Sequence, residues 1–215
     1  MRIRKKTNRD ARLERCESIH VKNPEKYKEK WNTLFGNSNP VHLEIGCGKG
    51  SFITQLAMRN PDINYVAMEK CTDVIIMAME KAMNLSIPNL LFINGDAGSL
   101  PEIFSNGEIS RIYINFCDPW PKSGHKKRRL TYRAFLDIYK SLLPCSGELH
   151  FKTDNRRLFE FSLNEFAGYE VKMQNISLDL HNSNFEGNIE TEYEKNFSEK
   201  GFPIFRCELV FNDNN

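Results

Sequence analysis

From residue 41 onward, short apolar runs alternate with amphipathic stretches, a pattern typical of βαβ units. The apolar runs predict strands near 41–45, 64–68, 90–94, 110–116, 147–152, 170–178 and 204–211. Apolar positions at helical spacing predict helices near 50–59, 72–84, 131–142 and 155–167. The pattern therefore predicts an α/β fold with a largely parallel sheet.

The pattern before residue 41 is different. Residues 1–22 carry many charges, few large apolar side chains and no clear periodicity, which predicts a mobile basic arm in solution. Asn23-Pro24 then resembles a helix start, and Tyr27, Trp31 and Leu34 follow at helical spacing. We therefore expect an arm over residues 1–22 and a single domain over residues 23–215.

Composition adds few constraints. A chain of 215 residues fits one domain, and a formal net charge of +2 does not by itself indicate a nucleic-acid partner. The six cysteines have no CxxC pair, so reduced intracellular thiols are the simpler interpretation. No apolar run approaches the roughly 20 residues that span a bilayer, so we expect a cytoplasmic protein without a membrane partner. His125, His150 and His181 lack metal-ligand spacing, so no metal is predicted.

A glycine-rich loop follows the first predicted strand, with the sequence Leu43-Glu44-Ile45-Gly46-Cys47-Gly48-Lys49-Gly50. Glycines here let the backbone turn tightly and approach a ligand. A dinucleotide loop, GxGxxG, would have glycine at position 51, where Ser51 stands. The GxGxG spacing favours S-adenosylmethionine over NAD, and Glu44 would lie beside that ligand's ammonium and sulfonium groups. The alternative is a purely structural turn.

Two more acids end the next two predicted strands. Glu69 is placed to accept hydrogen bonds from both ribose hydroxyls. Asp96, followed by Ala97, is placed to accept from an adenine amino group, although a turn Asp after a strand is common. Because the carboxyl ends of parallel strands meet at one edge of a sheet, Glu44, Glu69 and Asp96 predict one cofactor site.

The most distinctive segment, Asn115-Phe116-Cys117-Asp118-Pro119-Trp120-Pro121-Lys122, ends the fourth predicted strand. Two prolines and a tryptophan predict a rigid loop that holds Asp118 and Lys122 outward, with a structural turn as the alternative. A basic run follows it, and no acid occurs before Asp137. Beside a predicted reaction centre, this run favours a grip on a phosphate backbone over a solvated face. It comprises Gly124, His125, Lys126, Lys127, Arg128 and Arg129.

Two later motifs carry chemistry. Phe151-Lys152-Thr153-Asp154-Asn155 places Asp154 at the end of the fifth strand. Thr191-Glu192-Tyr193-Glu194 follows a polar stretch, 181–190, that predicts a loop. Together with the DPWPK and HKKRRL segments, these motifs resemble the bacterial tRNA (guanine-N7-)-methyltransferase family from about residue 30 to the C-terminus.

The resemblance implies a Rossmann-like class I methyltransferase fold: a seven-stranded, mostly parallel sheet with helices on both faces and an antiparallel last strand. It implies cofactor contacts from Glu44, Glu69, Asp96 and Asp118, beside the loop residues Gly46, Gly48 and Gly50 and Ala97 predicted above. It implies substrate contacts from Lys122, Asp154, Thr191, Glu192, Tyr193 and Glu194, and RNA contacts from 124–129. Ser123-Gly124 departs from the family pattern, since we expect basic residues there.

The implied reaction transfers a methyl group from S-adenosylmethionine to N7 of a guanine at tRNA position 46, in the variable loop. Guanine N7 carries a lone pair and no proton, so the attack requires no general base, and carboxylates near the guanine would stabilise its developing positive charge. Asp118 is the predicted catalytic residue for this role, and Asp154 could help to select guanine. We expect a monomer or homodimer without an obligatory protein partner.

Three alternatives remain open at this level. An NAD-linked oxidoreductase is disfavoured by the glycine spacing. A methyltransferase acting on another base or on a protein amide is disfavoured because Trp120-Pro121 breaks the Pro-Pro-aromatic order of that loop. A non-catalytic RNA-binding module on the same fold is disfavoured by acids at all the expected strand ends.

Overall fold

The structure, a computed structural model, describes residues 8–169 and 171–211, without the side chain of Glu192. Seven strands form one sheet in the order β3-β2-β1-β4-β5-β7-β6. Their bounds are β1 Val41–Ile45, β2 Asn64–Glu69, β3 Leu90–Asn94, β4 Arg111–Asn115, β5 Glu148–Thr153, β6 Lys172–Ser177 and β7 Phe205–Val210. The first five strands are parallel, and β7 runs antiparallel to both β5 and β6. The predicted fold class is thus confirmed.

The α-helices are α1 Arg9–Arg15, α2 Trp31–Phe35, α3 Ser51–Arg59, α4 Thr72–Asn84, α5 Leu100–Ile103, α6 Arg133–Leu142, α7 Arg156–Ala167 and α8 Glu192–Ser198. Short 3-10 helices occupy Pro24–Tyr27, Ala97–Ser99 and Ser123–Arg128. The four predicted helices are confirmed as α3, α4, α6 and α7, whereas the sequence pattern did not predict α8. No helix in the described ranges is long and apolar enough to cross a membrane.

Apolar clusters bury both faces of the sheet. Side chains of α5, α6 and α7 pack on one face, against β-strand residues such as Leu43, Ile112 and Phe151. Side chains of α1, α3 and α4 pack on the other, against residues such as Ala67 and Phe92. The order of the strands reverses between β1 and β4, so the carboxyl ends of these two strands open a crevice.

The second face becomes polar beyond β1. Arg111 of β4 pairs with Glu148 of β5 at 2.7 Å, and His150 lies 2.8 Å from the same carboxylate. Arg206 and Glu208 of β7 continue this ladder with an ion pair of their own. The apolar stripe of a helix would remove these charges from water, which is unfavourable. The segment 181–190 lies there instead, with Phe185 stacked 3.7 Å from the Arg206 guanidinium.

Residues 8–22 differ from the predicted mobile arm. Helix α1 is paired with α4 through Arg9–Asp73 at 2.8 Å and Arg12–Glu80 at 2.5 Å. Cys16 is buried, and the chain after it forms a parallel bridge to the edge strand β3 at Phe92. Arg9 and Arg12 are therefore paired with acids that lie far away in sequence, whereas Lys22 pairs with the nearby Glu17. The remaining part of the predicted arm, residues 1–7, lies outside the described residues.

The helix predicted from Asn23-Pro24 is two short pieces. The 3-10 helix at Pro24–Tyr27 and α2 are separated at Glu29, whose φ of 66° is left-handed. The Glu29 amide donates to the Glu108 carboxylate at 3.2 Å, which fixes the break. Trp31 packs on the body of the protein: its ring stacks 4.9 Å from Phe104 and its Nε1 donates to the Ile103 carbonyl at 3.3 Å.

This packing makes Trp31 a major contributor to stability. We expect Trp31→Ala to lower the free energy of unfolding by about 3–5 kcal/mol, because a large buried ring leaves a cavity that the fold fills poorly. Urea unfolding followed by circular dichroism measures the loss. Trp120→Ala, which removes the other tryptophan from a partly exposed loop, is the matched control, and an equal loss for both variants would contradict this assignment.

Candidate active site

Two joined cavities lie at the carboxyl ends of β1, β2, β3 and β4. The larger, of about 730 Å³, is lined by residues that include Glu69, Asp96, Ala97 and Asp118. The smaller, of about 320 Å³, is lined by Glu44, the glycine loop, Thr191 and Tyr193 among others. Gly46 and Phe116 border both cavities. The crevice between β1 and β4 thus holds most of the residues that the sequence predicted.

The glycine loop turns between β1 and α3 through left-handed backbone at Gly46, Gly48 and Gly50, with φ of 78°, 56° and 76°. A Cβ on Gly46 or Gly48 would meet no atom within 4 Å, so these two residues leave open space toward a ligand. A Cβ on Gly50 would lie 2.8 Å from the Ala78 side chain. The third glycine therefore permits the close packing of this turn on α4.

Glu44 lies under this loop at the end of β1, with only 2% of its surface exposed. Its Oε1 accepts a hydrogen bond from Asn115 at 2.9 Å, and its Oε2 has no partner among the described residues. Burial raises the pKa of Glu44 to about 7, because the charged form has lost its water. A buried carboxylate with an unpaired oxygen at a cavity wall is suited to receive a cationic group.

The other two predicted acids connect neighbouring segments. Glu69 accepts from the backbone N–H of Gly48 at 3.2 Å and of Cys71 at 2.9 Å, which ties the glycine loop to the start of α4. Asp96 caps the 3-10 helix that begins at Ala97 by accepting from the Gly98 amide at 3.0 Å. The structure thus brings Glu69, Asp96 and Ala97 to one cavity, and their contacts with a ligand stay predictions.

The loop after β4 holds Asp118 at the cavity mouth. Its side chain is 70% exposed, and its Oδ2 lies 4.0 Å from the Lys70 ammonium. Phe116 and Trp120, on either side, have left-handed φ of 53° and 42°, a conformation that costs non-glycine residues energy. Arg129 fixes the loop by donating 3.0 Å hydrogen bonds to the carbonyls of Pro119 and Trp120.

The basic run divides into exposed residues and one structural arginine. Lys127 and Arg128 line the larger cavity, and the Arg128 guanidinium lies 5.0 Å from the Trp120 ring centre. Arg129 has contacts inside the protein, and its predicted RNA contact stays a prediction. Its guanidinium lies 4.2 Å over the Phe161 ring and uses two of its five N–H donors on the loop carbonyls.

The other members of the run have different surroundings. Gly124 and Lys126 are exposed, and the His125 ring packs edge-on against Trp120 with the centroids 5.8 Å apart. Lys122 is exposed just before the 3-10 helix Ser123–Arg128 and lies outside the residues that line the two cavities. An exposed lysine at this position can reach a large ligand that extends beyond the cavities.

Asp154 contacts Tyr193, which lines the smaller cavity, although Asp154 itself is not among the residues that line either cavity. The Tyr193 hydroxyl donates to Asp154 Oδ2 at 3.4 Å, and its ring lies 5.2 Å from Phe116 and 4.4 Å from Phe197. Partial burial raises the pKa of Asp154. Tyr193 and Phe116 thus give the smaller cavity an aromatic wall, with Asp154 bonded to the Tyr193 hydroxyl.

Helix α8 carries this wall and was absent from the sequence prediction. Its signal was present in the sequence, because Thr191 and Glu194 form a capping box. The Thr191 hydroxyl accepts from the Glu194 amide at 2.8 Å, and Glu194 Oε2 accepts from the Thr191 amide at 3.4 Å. Thr191 and Tyr193 line the smaller cavity, and their substrate contacts stay predictions.

Glu194 differs from the expectation that it contacts substrate. Its side chain is fully buried and does not line either cavity. Its Oε2 accepts from Lys152 at 2.7 Å, and its Oε1 accepts from Asn188 at 2.7 Å and lies 3.1 Å from His181 Nε2. Lys152 belongs to the Phe151-Lys152-Thr153-Asp154-Asn155 motif, from which no role for the lysine was predicted. Alternation with apolar Phe151 on a strand was the signal that Lys152 faces the other side of the sheet.

Comparisons with known proteins identify the family. Residues 38–207 match a family model described as a putative methyltransferase. The chain is 53% identical over 214 residues to the tRNA (guanine-N(7)-)-methyltransferase of Listeria welshimeri, covering all of both chains. It is 50% identical over 209 residues to the same enzyme of Bacillus subtilis, covering 97% of this chain and 98% of that one. The chain belongs to the tRNA (guanine-N(7)-)-methyltransferase family.

Solved structures support the fold. The 16S rRNA methyltransferase KamB superposes with a TM-score of 0.65 at 14% identity, covering 86% of this chain and 94% of that one. The 16S rRNA (adenine(1408)-N(1))-methyltransferase of Catenulisporales acidiphilia, solved with its cosubstrate SAM, gives 0.62 at 12% identity, covering 91% and 94%. At these identities the likeness concerns the fold alone, and it is the class I methyltransferase fold implied by the sequence resemblance.

The cofactor of this family is S-adenosylmethionine, and the residues present fit it. The unpaired oxygen of Glu44 is suited to its ammonium group, and Gly46 and Gly48 leave room beside it. Glu69 and Asp96 present carboxylates toward the larger cavity, where ribose hydroxyls and an adenine amino group would be donors. Family membership also sets aside the NAD-linked alternative.

Glu44 gives a pH-dependent prediction. Because its pKa is about 7 in the folded protein and 4.5 is its ordinary value, the folded state binds the proton more tightly, and stability falls as pH rises between these values. We therefore compare the free energy of unfolding of Glu44→Gln with that of the parent at two pH values. We expect the difference in favour of Glu44→Gln to be larger at pH 8 than at pH 5, by on the order of 2 kcal/mol.

The same substitution is expected to weaken cofactor binding and to remove its pH dependence, because only the carboxylate attracts the ammonium. The affinity of the parent for S-adenosylmethionine is expected to rise as pH rises through about 7. Thermal unfolding and calorimetric titration at each pH measure the two effects. Glu102→Gln, at an exposed position of α5, is the control and should change neither. A pH-independent affinity in the parent would refute the role given to Glu44.

Proposed function

We propose that this protein transfers a methyl group from S-adenosylmethionine to N7 of a guanine in tRNA, giving 7-methylguanosine. The observation that carries the proposal is the placement of two unlike walls around one crevice. Glu44 and the glycine loop form a cofactor wall, suited to a cationic group, and Tyr193, whose hydroxyl is bonded to Asp154, forms an acceptor wall, suited to a base. The relatives named above share the full length of the chain and this activity in their names.

The acceptor requires positioning rather than activation. Guanine N7 has an in-plane lone pair that attacks the sulfonium methyl; the N7–C bond forms as the S–C bond breaks, and S-adenosylhomocysteine leaves. No proton is transferred, so the reaction requires no general base. The acids at the site can therefore act through their negative charge alone. Positive charge moves from the sulfonium to the purine, and a carboxylate near the purine lowers the energy of that change.

Asp118 is the residue that we assign to this electrostatic role. It borders the larger cavity on a strained, braced loop, so its position is defined although its side chain is exposed. Lys70, 4.0 Å away, is the neighbour that would compete for its charge. When the purine becomes cationic, Asp118 gains a second cationic partner close to the reacting atoms.

Asp154 and Tyr193 are assigned to the base. A carboxylate can accept from both the N1–H and the amino group of guanine, and an adenine offers no such pair of donors, so this contact selects guanine. The Tyr193 ring, 46% exposed and packed against Phe116, offers a face on which a displaced base can stack. Thr191 lies on the same wall.

The rest of the tRNA is assigned to the basic residues outside the cavities. Lys122, Lys126, Lys127 and Arg128 are exposed around the mouth, where phosphate contacts would position the nucleic acid. Arg129 supports this surface from inside. The target guanine in the variable loop and a cytoplasmic location, where tRNA is available, are parts of this proposal.

The direct test is incubation with labelled S-adenosylmethionine and unmodified tRNA, followed by nucleoside analysis. We expect the label in 7-methylguanosine. Asp118→Asn is expected to bind the cofactor but to lose methyl transfer by on the order of 10²–10³-fold, the range seen for the loss of one stabilising group at a developing charge.

Label in methyladenosine would overturn the assignment of the acceptor. Cofactor and tRNA binding without transfer would instead favour a non-catalytic RNA-binding module. Near-normal transfer by Asp118→Asn would remove that residue from its central role and leave the proposed reaction intact.

The dependence of binding on salt concentration should differ between tRNA and the cofactor. We expect tRNA affinity to fall steeply between 50 and 200 mM salt, by roughly 10³-fold if six phosphates are contacted. Cofactor affinity should hardly change over the same range. Lys127→Ala should reduce the salt slope by about one, since it removes one phosphate contact. Filter binding over a salt series measures the slope, and equal slopes for tRNA and cofactor would contradict this division.

A further inference from the structure

The buried ion pair between Lys152 and Glu194 connects the two halves of the site. Lys152 is 5% exposed at the end of β5, and Glu194 is completely buried on α8. Their Nζ and Oε2 atoms are 2.7 Å apart, and Lys152 also donates to Asn188 Oδ1 and to the Ile189 carbonyl, each at 3.0 Å. The ammonium thus has three acceptors, which is its full donor capacity.

Glu194 is equally well partnered. Besides Lys152 it accepts from Asn188 and from the Thr191 amide, and it lies within hydrogen-bond distance of His181. The partners come from strand β5, from the segment 181–190 and from the first turn of α8. One carboxylate therefore fixes three separate parts of the chain to each other.

The position of α8 depends on these contacts more than on the helix itself. A helix of seven residues is too short to be stable alone. Its exposed face carries Tyr193, and its buried charge is Glu194, the residue that follows in sequence. Fixing the Glu194 carboxylate therefore fixes where Tyr193 and Thr191 stand in the smaller cavity.

Lys152 also faces the cofactor side. Its ammonium lies 5.3 Å from the Phe52 ring centre and 6.0 Å from that of Phe116, two residues that line the smaller cavity with Glu44. Burial lowers the pKa of Lys152, and the Glu194 carboxylate opposes that change. The Lys152–Glu194 pair therefore lies next to residues of the cofactor wall and also holds the helix that carries the acceptor wall.

We propose that Glu194, held by Lys152, is a positioning residue: it sets the acceptor wall through α8 and does not itself contact the tRNA. This inference rests on the proposed function, since the acceptor wall is assigned there to guanine. It differs from the direct substrate contact that the sequence resemblance implied for this residue. A displacement of a positioned wall by about 1 Å can reduce a rate on the order of 10²-fold.

The test compares three variants with saturating cofactor and unmodified tRNA. Glu194→Gln leaves the Lys152 charge buried without a carboxylate, and we expect kcat/KM for tRNA to fall on the order of 10²-fold. The double variant Lys152→Gln/Glu194→Gln has no unpaired buried charge, and we expect it to recover at least about tenfold of that loss. Glu199→Gln, at the exposed C-cap position of α8, is the matched control and should equal the parent.

Amide hydrogen exchange over residues 191–198 supplies a readout that does not depend on activity. Faster exchange in Glu194→Gln, with slower exchange restored in the double variant, supports the positioning role. Cofactor affinity should be unchanged in Glu194→Gln. If this variant does not fold, Asn188→Ala, which removes one bond to each member of the pair and lies outside both site cavities, should give a smaller effect in the same direction.

Two results would overturn the inference. Normal kinetics in Glu194→Gln would show that the Lys152–Glu194 pair does not determine the position of the acceptor wall. A double variant as inactive as Glu194→Gln, with parent-like exchange in both, would show that the carboxylate acts on the tRNA directly. If the parent itself does not methylate tRNA, the proposed function fails, while the exchange comparison still decides whether the pair holds α8.

Discussion

The site depends on a carboxylate that the fold removes from water. Glu44 lies under the glycine loop with one oxygen bonded to Asn115 and the other without a partner among the described residues. Such burial is unfavourable for the charged form, and the raised pKa is its direct expression. The protein can tolerate the unfavourable burial of this carboxylate because a bound cationic ligand offsets it. The same arrangement that weakens the unliganded protein therefore makes cofactor binding favourable.

The rest of the crevice keeps this arrangement in place. Parallel pairing aligns the ends of β1, β2 and β4. The strand register alone therefore brings Glu44, Glu69 and Asn115 together. The glycine loop is then attached on both sides, since Gly46 and Cys47 donate to the Met68 carbonyl and Gly48 donates to Glu69. A rigid loop excludes alternative positions for the ligand and limits the entropy lost on binding.

Charge is used differently on the two sides of the site. Around Glu194 the charges are buried and saturated with partners, which suits a structural joint. Around Asp118 they are exposed, with Lys70 at 4.0 Å, Lys127 nearby and Arg128 stacked on Trp120. The exposed cations can bind phosphate, whereas Arg129 uses two of its five N–H donors on backbone carbonyls of the loop. Neighbouring residues of one basic run thus have opposite roles.

The sequence by itself determined the seven strands, the four longest helices and the acids that follow the strand ends. Strand and helix periodicity are local, and a residue that ends a parallel strand must lie at the carboxyl edge, so Glu44, Glu69, Asp96, Asp118 and Asp154 could be placed without coordinates. Only the tertiary structure decided which way the charged side chains point. Arg129 turns inward, Glu194 is buried by Lys152, and Arg9 and Arg12 dock α1 on α4, because each of these choices depends on a partner far away in sequence. Local periodicity contains no information about such partners, and that is why the charged residues were the ones whose roles changed.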